Sequence, residues 1–280
     1  MPPCTREDLI VRTFARRICQ QPLAAKVPEI GVMFWIVKLL TTAGGEATSD
    51  YLGHHIATGA AVELLLIAVA LWVQFRTRRY VAAAYWFLAL AIAIFGTGVS
   101  DTLHLVVGIP YAGTTILWAA VLAVIFWRWY RSEGTLSIHS IITTRREMYY
   151  WATVFATFAL GTALGDFTAT ALNLGYLASG IIFAVIIAIP AVAWWRFGLN
   201  PITAFWFAYV VTRPIGASFA DYFSKPKDTS GLGLGDLETA GVITLLVVIL
   251  VVYTSLARFD IQAPDSDPGA GDGTGVAGGA

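Results

Sequence analysis

One pattern recurs four times in this chain and leaves few folds open to it. An aromatic residue followed by Trp (Phe34-Trp35, Tyr85-Trp86, Tyr150-Trp151, Phe205-Trp206) leads, fifteen residues after the Trp, to Asp50, Asp101, Asp166 or Asp221. Ten residues after each Trp stands a glycine (Gly45, Gly96, Gly161, Gly216), and four residues later a small side chain (Ser49, Ser100, Gly165, Ala220). Each copy lies on an apolar run of about 20 residues, the length at which a helix rising 1.5 Å per residue crosses a hydrocarbon core ~30 Å thick. A second, more purely apolar run follows each copy. The expected spans are 30–50, 56–75, 81–101, 112–130, 149–170, 176–196, 202–221 and 239–257.

With 57% hydrophobic and 13% charged residues, the composition is that of a polytopic membrane protein rather than a soluble domain. The expected fold class is an all-α membrane protein, with eight transmembrane helices as four parallel two-helix repeats. Two crossings per repeat make every copy enter the membrane in the same direction, so the copies are related by an axis along the membrane normal. A pseudo-fourfold ring of first helices and a two-by-two packing both fit this pattern. The expected divisions are a basic tail at 1–26, repeats at 27–79, 80–145, 146–199 and 200–258, and a disordered tail at 259–280.

Charge placement sets the expected orientation. Of the 18 basic residues, 14 fall in the termini and alternate loops, whereas only Lys225 and Lys227 lie in the opposite loops. The positive-inside rule then puts both termini in the cytoplasm and the four Asp toward the outer side of the membrane. In the first tail, Leu9, Ile10, Phe14 and Ile18 oppose Arg12, Arg16 and Arg17, a pattern open to two readings, an interfacial amphipathic helix or a loose chain end. No removable signal peptide is expected before the first span. Cys4 and Cys19 suggest neither a disulfide framework nor a thiolate metal site. No nucleotide-binding loop, nucleophile elbow or zinc-protease pair occurs, so no enzyme is expected and no cofactor is indicated. The basic residues are dispersed among loops and form no nucleic-acid surface.

The candidate site residues are the acids. A carboxylate inside a bilayer is costly, and four at one repeat position suggest a shared use. From Trp to Asp is ~22 Å along a helix, which places Asp50, Asp101, Asp166 and Asp221 in the outer third of the membrane. The bland alternative is that each Asp caps the turn that follows it. Repeat 1 departs from the others: Glu46 stands where the later copies have Thr97, Thr162 and Ala217, and it lies four residues before Asp50 on one helical face. Glu46, Asp50 and His54 form a candidate set for a hard or borderline divalent ion such as Mn²⁺ or Zn²⁺, although His54, His55 and His104 also read as loop residues at headgroup level. Lys38 and Arg213 lie within spans and are the expected charge partners of these acids. The Gly-xxx-small face, Gly161 and Gly165 for example, is expected to let inner helices touch, while second helices such as the one with Gly180 face lipid.

The chain resembles bacterial integral membrane proteins built from four tandem repeats of unknown function, each with two spans and a characteristic Trp. The resemblance covers about residues 26 to 258 and rests on Lys26-Val-Pro-Glu, Phe34-Trp35-Ile-Val-Lys38, Gly96-Thr-Gly-Val-Ser-Asp101, Thr143-Thr-Arg-Arg-Glu147, Gly161-Thr-Ala-Leu-Gly-Asp166 and Thr212-Arg-Pro-Ile-Gly-Ala-Ser218. It implies architecture and membrane location but no activity. The functional expectation from the residues is a secondary transporter or channel for a small cation, proton-coupled or divalent, in contact with the lipid bilayer. A non-transporting scaffold or sensor with structural acids is the alternative.

Overall fold

The structure, a computed structural model, describes residues 25–257 and 260–261. The first tail up to residue 24, with its amphipathic pattern, and residues 262–280 lie outside the described residues. Those described form helices and connecting turns without strands. The helices are α1 (Val32–Gly53), α2 (Ile56–Arg76), α3 (Ala82–Asp101), α4 (Tyr111–Glu133), α5 (Thr144–Asp166), α6 (Tyr176–Ile186), α7 (Ala188–Phe197), α8 (Pro201–Ser224) and α9 (Asp236–Ala257).

Their ends follow local chemistry. The Thr143 side chain accepts the Arg146 N–H at the start of α5, and Asn200 does the same for Ile202 ahead of Pro201, satisfying donors that have no partner within the helix. Gly134 and Gly198 end α4 and α7 at φ of +70° and +69°, a left-handed conformation in which other residues are strained. The expected continuous run through Ile181 and Ala193 breaks at Ile187, because Pro190 has no N–H to give the carbonyl one turn back. After Asp101 and Asp166 the helices widen into single π-helical turns, Thr102–Val106 and Phe167–Ala171. Repeats 1 and 4 lack this widening.

Among the described residues, six helical stretches are long and apolar enough to cross a membrane: α2, α3 with its π turn, α4, α5 with its π turn, α6 together with α7, and α9. α1 and α8 are less apolar, because Lys38, Glu46 and Asp50 on one and Arg213, Pro214 and Asp221 on the other lower their hydropathy. Yet these two are among the most enclosed helices in the molecule.

Packing is cyclic. The first helices of the repeats form a ring in the order α1, α3, α5, α8 and back to α1. Each second helix packs chiefly on the first helix of the next repeat: α2 on α3, α4 on α5, α6 on α8, and α9 on α1. This exchange ties each repeat to its neighbour and closes the ring. Inner and outer helices differ accordingly: 67% of the apolar window is buried in α3 and in α5, against 17–22% in α2, α4, α6–α7 and α9. The apolar outer faces are compatible with lipid contact.

The repeated glycine is what lets the ring close. A Cβ at Gly45 would run into Ala93, at Gly96 into Phe158, at Gly161 into Arg213, and at Gly216 into Thr42. In every case the neighbour stands three residues before the equivalent glycine of the next repeat. The second small position is looser, since a Cβ at Gly165 meets nothing closer than 3.8 Å. Gly180, expected to face lipid, is instead buried against Phe219 and Ser218 of α8.

The aromatic pairs close one end of the ring by the same rotation. Phe34 packs on Trp86, Tyr85 on Trp151, Tyr150 on Trp206 and Phe205 on Trp35, with ring centroids 5.2–6.1 Å apart. Outside this plug, Lys26 and Glu147 form a buried ion pair at 2.6 Å, to which Gln74 adds a hydrogen bond. Lys26, assigned to the tail on sequence, is therefore an anchor. Asp260, expected in the disordered tail, accepts from the Tyr80 hydroxyl at 2.6 Å and, through its carbonyl, from the Glu29 N–H.

Candidate functional site

Equivalent positions of the four repeats meet on the ring axis, so the axis can be followed layer by layer from the aromatic plug. At its inner edge the Tyr85 and Tyr150 hydroxyls are 2.5 Å apart. In the next layer the Lys38 Nζ lies 4.2 Å from the ring centroids of both Phe158 and Tyr209 and has no hydrogen-bond acceptor among the described residues. Lys38 was expected to pair with an acid. It is held instead by two aromatic faces, which attract a cation through the ring quadrupole.

The following layer holds the Glu46 position. The Thr97 and Thr162 hydroxyls, which occupy that position in repeats 2 and 3, both donate to Glu46 Oε2, at 2.8 and 3.3 Å. Arg213 Nη2 donates to the same oxygen and to the two threonine hydroxyls. Its Nη1 donates to the Thr42 carbonyl at 2.8 Å and its Nε to that of Phe158 at 3.4 Å. The guanidinium is wholly buried, but every edge of it is used, which is the condition for a charge to persist away from water. The expectation that Arg213 partners an acid of another repeat thus has a counterpart in the structure, and that acid is Glu46.

Beyond this layer lie the four aspartates. Oxygens of Glu46, Asp166 and Asp221 come within 4.8 Å of one another. At that separation two carboxylate charges repel by about 3 kcal/mol at an effective dielectric near 20, so the cluster calls for a compensating cation or proton. Asp221 is buried, and its Oδ1 has no hydrogen-bond partner among the described residues. Asp50 turns aside to Lys225, 2.8 Å from its Nζ, and Lys225 also reaches Asp236 at 3.3 Å. Burial alone would lower the Lys225 pKa, but Asp50 and Asp221 outweigh it and hold the ammonium above its ordinary value.

The structure does not gather Glu46, Asp50 and His54 at one point. Glu46 faces Arg213, Asp50 faces Lys225, and the largely exposed His54 lies 3.4 Å from Asp236. His104 stacks on Tyr111, and its Nδ1 is 2.8 Å from the Ile109 carbonyl. Asp101 lines a side cavity of about 310 Å³ with Asp50, Lys225 and Glu63.

Glu63 and Lys225 were not singled out from sequence, and each carried a signal. Glu63 is the one charge in the apolar run 56–75. It is buried, accepts a hydrogen bond from Ser49 at 2.8 Å, and lies over Gly98, where a Cβ would strike its carboxylate. Lys225 follows Asp221 by four residues, one helical turn.

The family described as Repeat of Unknown Function (DUF347) matches four times in tandem, over residues 33–80, 84–135, 149–199 and 204–259. Each of these segments contains one copy of the Trp-to-Asp pattern. No match is found among curated proteins or solved structures.

Proposed function

We propose that this chain, which belongs to the Repeat of Unknown Function (DUF347) family, crosses a bacterial cell membrane eight times with both termini cytoplasmic and moves a small cation in exchange for protons. It performs no covalent chemistry. At 22 and 24 residues, α1 and α8 are long enough to span, and their polar side chains turn into the ring, where lipid does not meet them. The observation that carries the reading is the imbalance of charge on the axis. Five carboxylates (Glu46, Asp50, Asp101, Asp166 and Asp221) are accompanied by three basic side chains: Arg213 and Lys225, which are used on Glu46 and on Asp50, and Lys38, which is held away from the acids against Phe158 and Tyr209. Asp166 and Asp221 lie together with Glu46, one oxygen of which Arg213 leaves unused, and are suited to hold a cation and to release protons in return, whereas Asp101 lines the side cavity.

A second reading is favoured by the plug. The aromatic pairs and Lys38 close the other half of the axis, which suits a cation sensor that binds without conducting. Reconstituted vesicles separate the two. Transport predicts that an imposed pH gradient drives uptake or release of Mn²⁺ or an alkali cation and that Asp166→Asn abolishes it. Binding without movement of any cation or proton would replace the transporter by the sensor.

A further inference from the structure

We propose that Glu46, Asp166 and Asp221 form a site for one hard divalent cation, with Arg213 as the fixed positive charge that orients Glu46 within it. The inference rests on the cation reading above and assigns the site and the ligand class. An acid cluster is not enough to make a site, and two features of this one go further. Asp221 is 5% exposed, and its Oδ1 meets no donor among the described residues. On Glu46, Arg213, Thr97 and Thr162 all donate to Oε2, and no described group donates to Oε1. The guanidinium has a paired edge that fits a carboxylate two-on-two, but here Nη1 is turned to the Thr42 carbonyl instead. The other Glu46 oxygen is thereby left for a different cation.

Size, charge and ligand chemistry agree on the class. Ligands of one Ca²⁺-sized ion, bonded at 2.3–2.6 Å, stand at most about 5 Å apart, and the three oxygens lie within 4.8 Å of one another. Three carboxylates with one guanidinium leave a formal charge that a divalent ion neutralises, while Lys225 is engaged by Asp50 and Asp236. The donors are all oxygen, without imidazole or thiolate, which favours Mn²⁺, Ca²⁺ or Mg²⁺ over Cu(I) or Zn²⁺. His54, the nitrogen ligand expected from sequence, belongs to Asp236.

The test is Mn²⁺ binding to the purified full-length protein after chelator treatment, followed by electron paramagnetic resonance. One Mn²⁺ per chain is expected, displaced by Ca²⁺ but not by equimolar Na⁺ or K⁺, with no histidine nitrogen modulation in the echo envelope. Asp221→Asn and Asp166→Asn should each weaken binding at least about tenfold, since mutating even the outer-shell partners of metal ligands costs roughly 10–100-fold in affinity. Asp101→Asn, in the same ring but outside the trio, should change it less than about twofold. No Mn²⁺ binding, equal displacement by Na⁺, equal weakening by Asp101→Asn, or a histidine nitrogen signal would each overturn the assignment. Even if the variants do not accumulate, a histidine nitrogen signal or an absence of Mn²⁺ binding in the unaltered chain overturns the assignment. Transport and binding fail separately: flux with Mn²⁺ affinity intact in the trio variants sinks this inference alone, and a trio-dependent Mn²⁺ site without flux sinks the transporter alone.

Discussion

Replacing Gly216 by Ala tests the closure of the ring at the seam between α8 and α1. A Cβ there would stand 2.7 Å from the Thr42 Cβ and 3.0 Å from the Ala43 backbone nitrogen. Ordinary carbon contacts are ~3.5–4.0 Å, so the seam must open by roughly 1 Å. Thr42 gives way poorly, because its hydroxyl is bonded back to the Lys38 and Leu39 carbonyls of its own helix. Overpacking of this kind costs about 1–3 kcal/mol, with backbone in the way placing it at the upper end, and the better helix propensity of Ala returns up to ~1 kcal/mol. The net loss of ~2 kcal/mol corresponds to a fall of roughly 4–8 °C in the unfolding midpoint of a chain this size. Gly165→Ala is the matched comparison, since its Cβ would meet only contacts of 3.8 Å and longer and should be neutral or raise the midpoint by ~2–4 °C. Intrinsic Trp fluorescence during heating of the detergent-purified protein reads both, the scan rate being held constant because such unfolding is often irreversible. A midpoint for Gly216→Ala at or above that of Gly165→Ala would refute the close α8–α1 approach and with it the cyclic packing.

Two further outcomes follow from buried carboxylates. Gly98→Ala should destabilise through Glu63, so its loss of midpoint should shrink by more than half when Glu63→Ala is already present, and an equal drop in both backgrounds would mean that the two positions are not coupled. Lys26→Met strands Glu147 with Gln74 as its described side-chain partner and should cost about 3–5 kcal/mol, read as reduced accumulation and a lower midpoint; an unchanged midpoint would show that the pair does not anchor the segment.

Periodicity and charge were enough to read the membrane class, the four repeats and the registers of Trp, Gly and Asp, because each is a property of a single helix in a given solvent. The apolar runs answer to bilayer thickness, and the repeat answers to itself. The pairing of Arg213 with an acid of another repeat was also legible, since a buried guanidinium must find one. What stands across the axis from what depends on how four helices close, and only the tertiary structure decided that. The sequence did not distinguish a ring from a two-by-two packing, nor did it tell that α9 returns to α1 while each outer helix serves the next repeat. It grouped Glu46 with Asp50 and His54 because they share one face of a helix. Ring closure instead brings Glu46 together with Asp166 and Asp221, residues from repeats 3 and 4, while Lys225 draws Asp50 aside. Spacing along a chain fixes which side chains share a face, but in a closed ring the nearest neighbours of an inward side chain belong to other helices, and those are set by the contacts of glycines such as Gly161 and Gly216 rather than by sequence distance.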